Sequence, residues 1–219
     1  NDDQPGRIII HKEVVNNNGG MLEADDFKFK VNNSQWQYFN SYGFNEVEVD
    51  AGWYTVSEYE NDAYKASYNN CYKIYVKNGE TKHCFIKNDD RAPEVKVIKW
   101  TNPHWSSQDF NFTIRNNEHT KNFTLDGHPY DDQTASYYET SQYLQAGEVE
   151  ITESETEGWF QESARCYEVK NWGLYPISQP FKAELGKDYV CKFINTQYGR
   201  VEVTKVNDLN NDGEWDEGE

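Results

Sequence analysis

Apolar and polar residues alternate with a period of two along most of the chain. Ile8, Ile10 and Lys12 share one face of a predicted strand, as do Val95, Val97 and Lys99, and again Val201, Val203 and Lys205. Tyr54, Val56 and Glu58 share a face, and so do Val149, Ile151 and Glu153. Cys84, Ile86 and Asn88 form a further set, matched by Cys191, Phe193 and Asn195. Long runs with helical periodicity are absent. Short strands broken by Gly, Asn and Asp turns predict an all-β chain built of β-sandwiches.

These sets recur in one order. "GWYTVSE" (Gly52 to Glu58) corresponds to "GEVEITE" (Gly147 to Glu153), and "DFKF" (Asp26 to Phe29) to "DFNF" (Asp109 to Phe112). Glutamate to the next cysteine is thirteen residues in both copies, Glu58 to Cys71 and Glu153 to Cys166. Last cysteine to asparagine is four in both, Cys84 to Asn88 and Cys191 to Asn195. Agreement of independent spacings predicts repeats. The expected organisation is residues 1–4 as the end of a preceding repeat or linker, sandwiches at 5–92 and 93–198, and the start of a third at 199–219. The longer stretch between the cysteines of the second repeat reads as an inserted loop or hairpin. The opening "NDDQP" aligns Asn1 with Asn88 and Asn195, so these residues read as a section of a longer array. Chains meeting head to tail would let the open ends at Asn1 and Lys205 complete each other.

Composition narrows the function. Aromatic residues make up 16% of the 219 residues, which separates this polar chain from disordered ones. A formal charge of −17 argues against nucleic acid as a partner. No apolar run long enough for a membrane helix occurs, and the start lacks the apolar stretch of a signal peptide. Cys71, Cys84, Cys166 and Cys191 form no CxxC pair, and four cysteines allow three pairings. An even count, two in each half, points to disulfides and an extracellular setting.

Lys12, Glu58 and Asn88, and again Lys99, Glu153 and Asn195, stand on the faces their apolar neighbours occupy. Each taken alone reads as a lapse of pattern at a strand end, since lysine snorkels and "ND" opens a turn. Repeated in register, they ask for a joint explanation, because Lys and Glu are rarely buried unless paired. A desolvated lysine is pushed toward its neutral, nucleophilic form, and a glutamate buried beside it toward its protonated form. Attack of the amine on the asparagine side-chain carbonyl, with ammonia leaving, gives an isopeptide bond.

This pattern resembles the CnaB or SpaA-type prealbumin-like repeats of Gram-positive surface adhesins and pilins. The resemblance implies tandem Ig-like or prealbumin-like sandwiches whose first and last strands are tied by this bond. It places the bond at Lys12, Glu58 and Asn88 and at Lys99, Glu153 and Asn195. Val149 departs from the tyrosine usual in the glutamate box, and many such domains lack the cysteines. Pairing within repeats, Cys71 with Cys84 and Cys166 with Cys191, preserves the modularity; free buried cysteines are the alternative.

The segment "DLNNDGEWDEGE" fits a calcium loop, with Asp208, Asn210, Asp212, Glu214, Asp216 and Glu219 as the Ca2+ ligand set and Gly213 at the sharp turn. It follows a strand and no helix, so it is similar to the calcium loops of SdrD B-type adhesin repeats. The plain alternative is an acidic, solvated tail. "NNNGG" (Asn16 to Gly20) offers no carboxylate and is expected to hold no ion.

Trp100, Trp105, Tyr137, Tyr138, Tyr143, Trp172 and Tyr175 cluster in predicted loops, where they either pack over the sandwich ends or stack on sugars. "NNS" at Asn32 and "NFT" at Asn111 and Asn122 are sequons. His11, His83, His104, His119 and His128 show no HExxH or triad-like spacing, and no phosphate loop occurs, so turnover catalysis is not expected. The sequence therefore points to an extracellular stalk, adhesin or filament unit. Its expected partners are neighbouring repeats, copies of itself and a host-surface ligand; its rival role is a carbohydrate-binding module.

Overall fold

The computed structural model describes residues 4–127, 137–139 and 144–203. The first half carries β1 (Gly6–Val15), β2 (Lys28–Val31), β3 (Gln37–Tyr38), β4 (Phe44–Val49), β5 (Gly52–Tyr54), β6 (Val56–Glu58), β7 (Tyr64–Asn69), β8 (Ile74–Val76) and β9 (Thr81–Asp90). The second carries β10 (Glu94–Asn102), β11 (Phe110–Asn116), β12 (His119–Leu125), β13 (Tyr137–Glu139), β14 (Gly147–Glu153), β15 (Trp159–Lys170), β16 (Gly173–Ile177), β17 (Phe181–Ala183) and β18 (Asp188–Gln197). The inserted stretch of the second half thus folds as a β15–β16 hairpin followed by β17.

One sheet of the first half runs β4-β1-β9-β7, and its counterpart in the second half runs β13-β10-β18-β15-β16. The opposing strands are β3-β2-β6 with β5-β8 in the first half and β12-β11-β14-β17 in the second. Each half has its own core, which is why it reads as a separate sandwich. The first core gathers Ile8, Ile10, Phe29, Val76 and Ile86; the second gathers Val95, Val97, Phe110, Phe112 and Phe193. In both halves the first and last strands are parallel neighbours, β1 with β9 and β10 with β18. A parallel pair needs a crossover, and here the rest of the sandwich supplies it.

Both disulfides close within a half, Cys71 to Cys84 and Cys166 to Cys191. Loops of 13 and 25 residues make each worth about 3 kcal/mol in the chain-entropy account.

The third expected strand is not present in its described part. Residues 201–203 belong to no strand, and Val201 and Val203 are exposed. Alternation alone does not make a strand; a neighbour must take up the backbone hydrogen bonds, and among the described residues none pairs with 201–203.

Only Arg91, Ala92 and Pro93 separate β9 from β10, and the joint between the halves is hydrogen-bonded. Arg91 N–H donates to the Ala63 carbonyl of the first half at 2.9 Å, while the Arg91 carbonyl accepts from Gly186 N–H of the second at 2.9 Å. Leu185 packs against the first core. Gly186, at φ +71, brings its backbone so close to Asp62 that a Cβ there would lie 2.4 Å from the Asp62 carbonyl oxygen, which restricts the position to glycine. A second contact joins Ala146 N–H to the Asn18 carbonyl at 2.7 Å.

Asp90 holds that second contact in place. Its buried carboxylate accepts from the backbone N–H groups of Asn17 at 3.0 Å, Asn18 at 2.8 Å and Gly20 at 2.7 Å. The "NNNGG" loop, devoid of carboxylates itself, is thus organised around one delivered from β9.

Candidate functional site

In β1 the alternation buries Lys12 behind Ile8 and Ile10, and in β9 it buries Asn88 behind Cys84 and Ile86. The parallel register pairs Lys12 with Ile86 and Val14 with Asn88, so the lysine and the asparagine lie on one face, two positions apart. Glu58 comes from the opposing sheet, where it ends β6 and pairs with Phe29 of β2. The same stagger recurs in the second half: Lys99 pairs with Phe193 and Thr101 with Asn195, while Glu153 pairs with Phe112.

The structure brings each predicted set together between its two sheets. Lys12 Nζ donates to Glu58 Oε2 and, at 2.5 Å, to Asn88 Oδ1, and Asn88 Nδ2 donates to Glu58 Oε1 at 2.6 Å. The three side chains form a closed ring. In the second half Lys99 Nζ lies 3.0 Å from Glu153 Oε1, and Asn195 Nδ2 donates to the same oxygen at 2.6 Å. Here the ring is open, with Asn195 Oδ1 and Glu153 Oε2 buried without a hydrogen-bond partner.

Burial governs the electrostatics. It pushes the Lys12 amine down from 10.5 to about 8, against the opposing pull of Glu58. Burial likewise pushes Lys99 down to about 8, against Glu153. Glu153 is itself raised by burial, with Lys99 and Asn195 opposing. Lowering a lysine from 10.5 to about 8 enriches its free amine at neutral pH by roughly 300-fold. The side chains of Lys12 and Glu58 are 0% and 2% exposed, so water does not compete for either group.

Aromatic rings complete each pocket. The Lys12 ammonium sits 3.8 Å from the Phe27 ring centre, and that of Lys99 sits 3.9 Å from Phe110. Phe39 lies 5.4 Å from the Lys12 ammonium. The matched "DFKF" and "DFNF" stretches contain Phe27 and Phe110, but spacing alone assigns them no role. Asp90 also escapes sequence reading, because its partners lie about seventy residues away.

The other sequence expectations divide. Trp100 and Tyr175 stand in strands β10 and β16, and Tyr137 and Tyr138 in β13, so the loop assignment is corrected for these four. Trp100 and Tyr175 are exposed on their strands, where aromatic residues are enriched. Trp105 and Trp172 lie in turns and are exposed, while Tyr143 falls outside the described residues. His11 and His83 meet across β1 and β9 at 2.9 Å on the outer face, away from the buried lysine. The calcium set Asp208, Asn210, Asp212, Glu214, Asp216 and Glu219 lies outside the described residues, as do Asn1, Lys205 and His128. No helix among the described residues is long and apolar enough to cross a membrane.

Residues 3–85 match a family model described as a prealbumin-like fold domain. Among solved structures, the Bacillus anthracis TIE protein is 19% identical with a TM-score of 0.50, over 89% of this chain and 34% of that one. The chain thus spans about a third of that relative. The C-terminal fragment of the pilus adhesin SpaC from Lactobacillus rhamnosus GG is 13% identical, with a TM-score of 0.45, over 89% of this chain and 99% of that fragment. The major pilin T-13 of Streptococcus pyogenes is 14% identical, with a TM-score of 0.39, over 88% of this chain and 97% of the pilin. No curated protein matches the chain.

Proposed function

We propose that the chain is a structural module of an extracellular surface stalk, adhesin or filament, and that each sandwich is closed by one isopeptide bond. The bonds join Lys12 to Asn88 and Lys99 to Asn195. The observation that carries this reading is the buried Lys12 amine, held against Glu58 and 2.5 Å from the side-chain oxygen of Asn88 on the neighbouring parallel strand. The neutral amine attacks Asn88 Cγ, forming the N–C bond. Glu58 takes the proton from the lysine nitrogen and passes it to the asparagine nitrogen, which leaves as ammonia. Glu58 ends as it began, so the reaction runs once per sandwich and needs no added reactant. Glu153 does the same for Lys99 and Asn195. The two disulfides fit the oxidising setting of such a protein.

A covalent tie between the first and last strands changes how load passes. Force entering near β1 and leaving through β9 would run from Lys12 to Asn88, and residues 13–87 would leave the load path.

Intact-mass spectrometry tests the chemistry. The chain should weigh less than its disulfide-bonded sequence by one ammonia per bond, two in all. A mass equal to that of the disulfide-bonded sequence would refute it. Bond formation should also depend on pH. For chain obtained unfolded, before any bond has formed, the rate of ammonia loss on folding should rise with pH and level off above about 8, where both lysines are neutral. A rate that keeps rising to pH 10 would place the amines in water.

We also propose that Asp208, Asn210, Asp212, Glu214, Asp216 and Glu219 bind calcium, on the strength of their spacing alone. Chelator should then lower the melting temperature, and added Ca2+ should restore it; no shift would leave an acidic tail. The rival carbohydrate-binding reading rests on Trp105 and Trp172, exposed in turns. It requires glycan-array binding that W105A or W172A abolishes.

A further inference from the structure

The two sandwiches agree on their inner faces and differ on one outer face. In the first, β2 turns Phe29 and Val31 into the core and leaves Lys28 and Lys30 on the outer side. Tyr38 of β3 pairs with Lys28, and Tyr59, just past β6, donates its N–H to the Lys28 carbonyl at 2.8 Å. Trp36, just before β3, meets Tyr59 across β2, with ring centres 5.3 Å apart and ring planes at 86°. Trp36, Tyr38 and Tyr59 are 40%, 58% and 60% exposed. At the matching positions of the second sandwich, Asn111 and Thr113 replace the two lysines and Ser154 replaces Tyr59. The fold therefore does not require this aromatic face.

The same face reverses the charge of the chain locally. The Lys28 ammonium lies 4.5 Å from the Tyr38 ring centre, and the Lys30 ammonium 4.6 Å from that of Trp36. Among the described residues neither pairs with a carboxylate, although the chain holds 38 acidic residues against 21 basic ones. The faces of aromatic rings carry negative charge density and attract the C–H face of a sugar ring. Ammonium groups held beside the rings can meet a carboxylate on that same sugar. The net charge of −17 works against a dense polyanion such as nucleic acid or an anionic bilayer. A sugar carrying one carboxylate meets mainly the local lysines, because salt screens charges beyond about 8 Å.

We propose that the outer face of β3-β2-β6 is a binding site for a carboxylate-bearing glycan. Trp36 and Tyr59, set at right angles, form the corner that takes the sugar ring, and Lys28 and Lys30 meet its carboxylate. An exposed ion pair is worth little in water, so the rings supply most of the affinity and the lysines the preference for acidic sugars. Trp105 and Trp172 offer no such arrangement, since among the described residues neither has a ring or a cation beside it. One small site binds weakly, and many stalks side by side would raise the effective affinity. The site lies wholly in the first sandwich and needs neither isopeptide bond; that its glycan belongs to another surface rests on the stalk reading.

The test is an NMR titration of the full, 15N-labelled chain with sialyllactose and with a hyaluronan tetrasaccharide. Lactose and chitotetraose serve as the neutral counterparts. The acidic sugars should shift the Trp36 indole N–H and the amides of β2 and β3, and bind about fivefold more tightly than the neutral ones. Trp36→Ala should weaken binding by about tenfold or more. Lys28→Gln with Lys30→Gln should keep the melting temperature and bring the acidic sugars down to the level of the neutral ones. No shift with either acidic sugar overturns the proposal. So does equal binding of the neutral sugars, binding that survives Trp36→Ala, or a shift confined to the turns of Trp105 and Trp172. Pelleting with phosphatidylserine vesicles that Trp36→Ala abolishes would overturn it too, in favour of a membrane. Each of these results leaves the loss of ammonia untouched.

Discussion

Glu58→Gln is expected to leave the first sandwich uncrosslinked, so that the chain loses one ammonia where the parent loses two. The amide cannot carry the proton from Lys12 to the leaving nitrogen of Asn88. Stability falls for two reasons. Where the parent has an amide, the variant keeps an uncrosslinked Lys12 amine buried without its carboxylate, and an uncompensated buried charge typically costs about 3–5 kcal/mol. Without the bond, the unfolded chain also regains the freedom of a loop from Lys12 to Asn88, worth about 4 kcal/mol by the chain-entropy account of crosslinks. For a sandwich of this size each kcal/mol moves the melting temperature by roughly 4–8 °C, so a drop of tens of degrees follows. Combining Lys12→Met with Glu58→Gln separates the two causes. Both charges are gone, and the remaining loss reports the crosslink. A Glu58→Gln chain that still loses two ammonias would remove Glu58 from the chemistry.

The sign of the pH dependence follows from the buried lysine. Where the bond is blocked by Glu58→Gln, Lys12 keeps its burial and loses the carboxylate that opposed the shift, so its folded value stays below the unfolded 10.5. Between those two values the unfolded state binds more protons than the folded state, and stability rises with pH. In a crosslinked sandwich the lysine nitrogen is an amide and this rise is absent. Denaturant unfolding at pH 7 and at pH 10 distinguishes the two cases.

The second large effect is expected at Asp90. Asp90→Ala would strip the acceptor from the N–H groups of Asn17, Asn18 and Gly20. Hydrogen bonds to a charged group are each worth about 1.5–3 kcal/mol, and the loop would recover part of that from water. A net loss of about 3 kcal/mol is expected by urea unfolding of the first sandwich. The joint should loosen as well, since the loop presents the Asn18 carbonyl to Ala146. Hydrogen exchange at the Ala146 amide should speed up while exchange in the β10–β18 ladder does not. Unchanged exchange at Ala146 would show that the joint holds without the loop.

The failure at Val201 and Val203 shows the limit of pattern reading. Their alternation matches that of Ile8 and Ile10, yet they stand exposed and outside any strand. Alternation reports which residues would face a core, and it does not report whether a core and a neighbouring strand are present. The aromatics at Trp100 and Tyr175 fail differently, since polar neighbours and large rings suggest loops when they mark the outward face of strands.

The sequence by itself determined which residues face inward. Period-two alternation is a local property of extended backbone, so Lys12, Glu58 and Asn88, and their counterparts Lys99, Glu153 and Asn195, were legible as inward-facing from a few neighbours each. Repeated spacing then linked them as two sets. Tertiary structure alone decided that β1 lies beside β9 and β10 beside β18, with the two-residue stagger that brings amine to amide. It also decided that Phe27 and Phe110 lie against the lysines, that Asp90 fills the Asn16–Gly20 loop, and that Gly186 seats on Asp62. Each of these joins residues far apart in the chain. Their meeting depends on how whole sheets pair and pack, which no local pattern encodes.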